Sequence, residues 1–147
     1  MKLKTKKNKK YITKDSNDNS NGYLVPIYNI NEKFFENGME PEQFYLTVIE
    51  PGKIKGPHLH HIRTGCFTCI KGNARFIIKK DNEYEVIYSG EDHEYTSVIV
   101  PTGIPAALQC IGDKEAFVVN MPNPAWTPDM DDEYSANFND FDFDNLK

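Results

Sequence analysis

Apolar residues fall in short runs broken by turn residues, and no window of about 11–18 residues keeps them at the 3.6-residue helical period. The runs at residues 23–28, 44–49, 66–70, 74–78, 84–88, 97–100 and 116–119 are rich in β-branched and aromatic side chains, which suit a pleated, half-buried surface. Lys71-Gly72-Asn73 and Lys80-Asp81-Asn82 carry the chemistry of tight hairpin turns, and Pro51-Gly52, Pro101-Thr102-Gly103 and Gly112-Asp113 separate other runs. At least seven short strands at this spacing predict an all-β sandwich or barrel around one core. Beyond it, Pro122, Pro124 and Pro128 interrupt any regular element, and residues 129–147 carry seven acids against Lys147. Trp126, Tyr134, Phe138, Phe141 and Phe143 are too many aromatics for a solvated tail, so residues 126–147 are predicted to wrap over the barrel or over a neighbouring subunit.

A length of 147 residues, 39% of them hydrophobic, fits a single core. No apolar run reaches the roughly 18–20 residues of a bilayer span, and no apolar segment follows Met1-Lys2-Leu3-Lys4, so a cytoplasmic protein without a membrane partner is expected. Three cysteines, an odd number, imply reduced thiols, with Cys66, Cys69 and Cys110 as small core residues. The net charge of −5 divides unevenly: residues 1–22 hold seven lysines against Asp15 and Asp18, which leaves −10 on the remainder. An acidic folded part argues against nucleic acid as a partner. The lysine run beside Ser16-Asn17-Asp18-Asn19-Ser20-Asn21-Gly22 reads as a disordered basic tail over residues 1–22, with the barrel at residues 23–125.

The segment Gly52-Lys53-Ile54-Lys55-Gly56-Pro57-His58-Leu59-His60-His61 carries the chemistry. On a strand, alternate side chains share a face, so His58 and His60 converge on one side of a sheet. Facing a barrel interior they would be either two metal ligands or an acid/base pair, and facing outward a solvated cluster.

This stretch resembles the first signature of the cupin superfamily, with Gly52, His58, His60 and Gly72 in register, and Pro101-Thr102-Gly103 resembles the second. The resemblance spans residues 44–120 and implies a double-stranded β-helix, or jelly-roll barrel. Metal-binding cupins add a glutamate and a third histidine at positions that here hold Thr64 or Gly65, and Ala106. The resemblance therefore implies no metal and no other cofactor at His58 and His60.

The metal-free branch that keeps both histidines acts on nucleotide-linked keto sugars, and Lys55-Gly56-Pro57-His58-Leu59-His60 is similar to its basic-Gly-x-His-x-His segment. Pro101-Thr102-Gly103-Ile104-Pro105 with Leu108, and the ending from Asp131-Asp132-Glu133-Tyr134 to Phe141, are similar to dTDP-sugar 3,4-ketoisomerases. The 3,5-epimerases of this branch place a tyrosine acid on a late strand, where this chain runs Phe117-Val118-Val119-Asn120. The resemblance thus implies a 3,4-ketoisomerase of a nucleotide-linked 4-keto-6-deoxy sugar in cell-surface polysaccharide biosynthesis, with His58 and His60 moving the proton through an enediol. The expected ligand is a nucleotide diphosphate sugar, dTDP-linked, held by Lys55, Arg63 and Arg75 with Trp126 stacked on the base. A homodimer is expected, because residues 23–30 and 44–49 are apolar on more than one face. A 3- or 3,5-epimerase, a metal-dependent cupin enzyme and a non-catalytic sugar-binding cupin are the alternatives.

Overall fold

A computed structural model describes residues 2–146. The strands are β1 (Thr5–Asn8), β2 (Tyr11–Lys14), β3 (Ser20–Leu24), β4 (Tyr45–Ile49), β5 (Ile54–His60), β6 (Gly65–Lys71), β7 (Asn73–Lys80), β8 (Glu83–Gly90), β9 (Tyr95–Val100), β10 (Ala106–Cys110), β11 (Ala116–Asn120) and β12 (Glu133–Ser135). Two five-stranded antiparallel sheets, ordered β1-β9-β6-β11-β4 and β12-β5-β10-β7-β8, face each other across the core, while β2 and β3 form a separate two-stranded sheet. This is the jelly-roll arrangement of the cupin barrel. No helix among the described residues is long and apolar enough to cross a membrane.

Strand alternation sorts each sheet into two faces. On β7, Ala74, Phe76 and Ile78 join the core with Cys69, Val98, Leu108, Cys110 and Val118, while Ile77 faces the other way against Ala107 and Phe138. On β6, Cys66 and Cys69 likewise lie in different clusters, Cys66 with Phe34 and Met121. Each sheet thus carries a cover, residues 27–35 over the first and residues 136–143 over the second. The β7–β8 hairpin closes on Asp81 and Asn82, both at positive φ (52° and 64°), the conformation that a two-residue turn between twisted strands requires.

The disordered tail predicted for residues 1–22 is corrected. Thr5–Asn8 pairs with β9, Leu3 is buried in the core, and Asn8 Nδ2 donates to Tyr95 O and Ser97 Oγ at 2.8 Å each. Backbone pairing along a sheet edge is indifferent to side-chain charge. The other lysines of this segment are exposed, whereas Lys6 is largely covered: it lies with Lys4 over the Phe34 ring, donates to Ile27 O at 2.9 Å and stands 3.1 Å from Glu32. The run at 23–28 also differs: strand structure stops at Leu24, before Pro26, which has no N–H to give a ladder.

Candidate active site

A cavity of about 220 Å³ opens between the two sheets. One wall is the first sheet, with Tyr45 and Thr47 of β4, Gly65 and Phe67 of β6, and Val100 of β9. The other is the second sheet, with Lys55, His58 and His60 of β5, Ala106 and Leu108 of β10, and Glu133 of β12; Arg63 lies at the β5–β6 connection. Strict alternation would set Lys55 on the face opposite His58. A bulge prevents this: Ala106 pairs with His58 but Leu108 pairs with Lys55, so β5 carries one extra residue at Gly56-Pro57 and Lys55 turns back into the cavity. Gly56 permits the bulge, since it takes φ +86° and a Cβ there would lie 2.9 Å from Ala106 O.

The two imidazoles meet one carboxylate. Glu133 Oε1 is 3.1 Å from His58 Nδ1 and 3.6 Å from His60 Nε2. Burial, and then the positive charge of Arg63, lower the pKa of His60 below its usual 6.5, against the opposite pull of Asp132 and Glu133. Its neutral form, the one able to take a proton, therefore prevails at neutral pH. Beside it, Arg63 Nε donates to Asp132 Oδ2 at 2.7 Å, and the backbone N–H groups of Ile62 and Arg63 donate to Asp132 Oδ1. Burial alone would raise the Asp132 carboxyl, but these donors outweigh it and hold it below the ordinary carboxylate range. Arg63 Nη1 and Asn120 Nδ2 both donate to the Tyr45 hydroxyl, at 3.2 and 2.8 Å.

Of the residues singled out in the sequence, Lys55, His58, His60 and Arg63 share this cavity. Trp126 stands 44% exposed in an adjoining cleft with Gln43, Tyr45, Arg63 and Glu133. Arg75 is corrected: it is 2% exposed on the far face of β7, where it donates to Gln109 Oε1 and to the carbonyls of Phe143 and Asn145. Alternation turns it away from the cavity together with Ile77, so it fastens the C-terminal segment and cannot clamp a ligand in the cavity. Ala106 and Gly65 line the same cavity and offer no metal-ligating side chain. Among the described residues no group of three or more His, Cys, Asp or Glu is arranged to hold a metal ion. Tyr45, Asn120, Asp132 and Glu133 are site residues that the sequence reading did not single out. A larger hollow of about 330 Å³, lined by Tyr28, Ile30, Phe34 and Phe35 among others, contains no imidazole.

Residues 31–134 match the family model described as polysaccharide biosynthesis C-terminal domain. No curated protein sequence matches significantly. Among solved structures, the capsular polysaccharide assembling protein CapF from Staphylococcus aureus aligns with a TM-score of 0.59 and 23% identity, over 66% of this chain and 29% of CapF. The chain thus spans less than a third of that protein. A dTDP sugar isomerase from Desulfovibrio desulfuricans G20 aligns with a TM-score of 0.74 and 13% identity over 98% of this chain and 95% of the other. ChmJ, a 3'-monoepimerase from Streptomyces bikiniensis in complex with dTDP-quinovose, aligns with a TM-score of 0.69 and 16% identity over 93% and 72%. What is shared at these identities is the fold, and the neighbours are sugar-nucleotide cupins of the kind that the His-x-His segment resembles.

Proposed function

The chain belongs to the polysaccharide biosynthesis C-terminal domain family, and from that premise we propose that it is an isomerase of a nucleotide-linked 4-keto-6-deoxy sugar. The observation that carries this reading is the pair His58 and His60, joined by Glu133 on one wall of a cavity that Arg63 also lines. A carbon beside a ketone loses a proton to a neutral imidazole, and its electron pair moves onto the carbonyl oxygen as an enolate. Lys55 faces the same space and suits that developing charge. At about 220 Å³ the cavity is smaller than the roughly 300–1,000 Å³ of pockets for drug-sized ligands, so it suits the sugar end alone. The nucleotide would follow the outer cleft past Arg63 to Trp126.

Two outcomes share the enolate. Passage of the hydroxyl proton on the deprotonated carbon to the enolate oxygen, through the enediol, and delivery of the imidazolium proton to the former carbonyl carbon by the histidine pair give 3,4-ketoisomerisation. Protonation of the deprotonated carbon from the opposite side gives epimerisation, a reading favoured by the second wall carrying its own ionisable side chain, Tyr45. ChmJ, an epimerase that binds dTDP-quinovose, supports a dTDP-linked ligand. The working form proposed is a cytoplasmic homodimer that needs no metal.

The test is a dTDP-4-keto-6-deoxyhexose in D2O. The expected result is deuterium uptake beside the ketone and conversion to an isomer, both unchanged by chelator, with dTDP raising the melting temperature. Absence of both exchange and conversion, or loss of both on chelation, overturns the reading.

A further inference from the structure

We infer that the hollow of about 330 Å³ on the outer side of the first sheet is a binding site for an uncharged sugar, separate from the cavity of the histidines. The two share no lining residue. Most of the wall comes from residues 27–35, the cover of the first sheet. Binding there is independent of the chemistry proposed for the histidine cavity.

Two charged residues mark the hollow out. Lys33 holds φ 53° and ψ 40°, the left-handed region that a residue with a Cβ rarely adopts, at the end of the single turn Ile30–Glu32, where glycine would fit without strain. Glu40 is half-buried, yet its carboxylate has no hydrogen-bond donor and no cation among the described residues. A carboxylate partly withdrawn from water without a donor loses hydration and gains nothing in exchange. The Lys33 ammonium has no partner among the described residues either, so the hollow keeps one cation and one anion that do not meet.

The other groups fix the class of ligand. Asn29 Oδ1 accepts the backbone N–H of Asn31 at 2.9 Å, so its free atom is the NH2 group, a donor. Lys33 is likewise only a donor, and an ionised Glu40 only an acceptor. Tyr28 and Phe35 set their rings 5.7 Å apart at 53°, which makes an apolar corner for C–H groups. A sugar ring unites these needs: its axial C–H groups form an apolar face, and its neighbouring hydroxyls both accept and donate. Hydroxyl oxygens accept from Lys33 and Asn29, while a hydroxyl hydrogen goes to Glu40. A phosphate would be repelled by Glu40 and a cation by Lys33, so the balanced pair selects against charged ligands, the nucleotide diphosphate among them. The volume falls within the roughly 300–1,000 Å³ of small-molecule pockets.

The test is saturation-transfer NMR on the full chain with the methyl glycosides of glucose, galactose, mannose and rhamnose at millimolar concentration. At least one should bind wild type and bind His60→Asn equally well. Glu40→Gln, whose side chain has no partner to lose, should keep the fold and raise Kd for that glycoside by at least about 10-fold. Lys33→Gly should also weaken binding, with a melting temperature no lower than wild type, because glycine takes φ 53° without strain. Glucose 1-phosphate should bind no more tightly than methyl glucoside. Failure of all four glycosides to bind, wild-type affinity in Glu40→Gln, loss of binding in His60→Asn, or tighter binding of the phosphate ester each overturns the assignment.

Discussion

His60 is the more enclosed of the two imidazoles, its side chain 22% exposed against 39% for His58, and the positive charge of Arg63 acts on it. If it is the base, protonation abolishes activity. Because its pKa is lowered from 6.5, the acid limb of kcat/KM should be centred below 6.5. An acid limb centred above 6.5 would remove His60 from that role. The stability contribution follows the same sign. Above 6.5 both folded and unfolded chains hold this imidazole neutral and nothing is gained or lost; below it the unfolded chain binds the proton first, so the fold is weakened on acidification. Replacing His58 or His60 by Asn should lower turnover by at least about 100-fold while circular dichroism and melting temperature stay close to wild type. Unchanged turnover in either variant would mean that the imidazole is structural.

The three-residue strand β12 brings Glu133 to the histidines, and so short an element needs anchors on both sides. Before it, Asp132 is 2% exposed and bound to Arg63 and two backbone N–H groups; after it, Phe138 is buried against Ile77 and Ala107, and Arg75 holds the carbonyls of Phe143 and Asn145. Asp132→Asn sets an NH2 group against donors on one side or the other and leaves Arg63 without its carboxylate. Breaking a buried pair in this way costs about 3–5 kcal/mol, and urea unfolding should reveal a loss of that order at neutral pH. The Asp132 carboxyl titrates below its ordinary 3.8, so its contribution is full above that value and is lost as pH falls through the folded pKa; the wild-type advantage over the variant should therefore shrink in strong acid. An equal stability difference at every pH would show that the carboxylate's charge is not what matters. The pairing of β12 with β5 also explains what the sequence made legible. Parity within β5 placed His58 and His60 together because a strand is a local object. Glu133 and Asp132 meet them from some seventy residues away, and an acidic run gives no sign of which carboxylate turns inward. Lys55 reaches the cavity through a bulge that changes parity, and Arg75 leaves it through parity that a short list of arginines could not reveal. The late strand indeed has no tyrosine at Phe117–Asn120, yet Asn120 pairs with Tyr45 across the sheet, a contact that depends on the order of strands and not on any local pattern.

Two features of the barrel leave backbone and apolar surface without a neighbour in a single copy. Strand β4 is the edge of its sheet, with Phe44 63% and Leu46 48% exposed, and β2 and β3 pair only with each other among the described residues. A lone two-stranded hairpin is marginally stable in water, and this one also presents Ile12 at 62% and Leu24 at 50% exposure. An open edge and an apolar hairpin are the two halves of a sheet extension, in which the hairpin of one copy covers the edge region of another and the two-fold relation repeats the contact. The proposed homodimer would then have about twice the 16.9 kDa of the chain in sedimentation or light scattering at micromolar concentration. Ile12→Lys together with Leu24→Lys touches no buried residue of the single barrel, so it should leave the barrel folded and shift the mass to that of one chain. A wild-type mass of 16.9 kDa under the same conditions, or a double variant that keeps the dimer, would contradict this interface. Because both sheets supply site residues from within one copy, a folded monomer from the double variant should retain exchange of the proton beside the ketone, and this separates the contribution of assembly from that of the cavity.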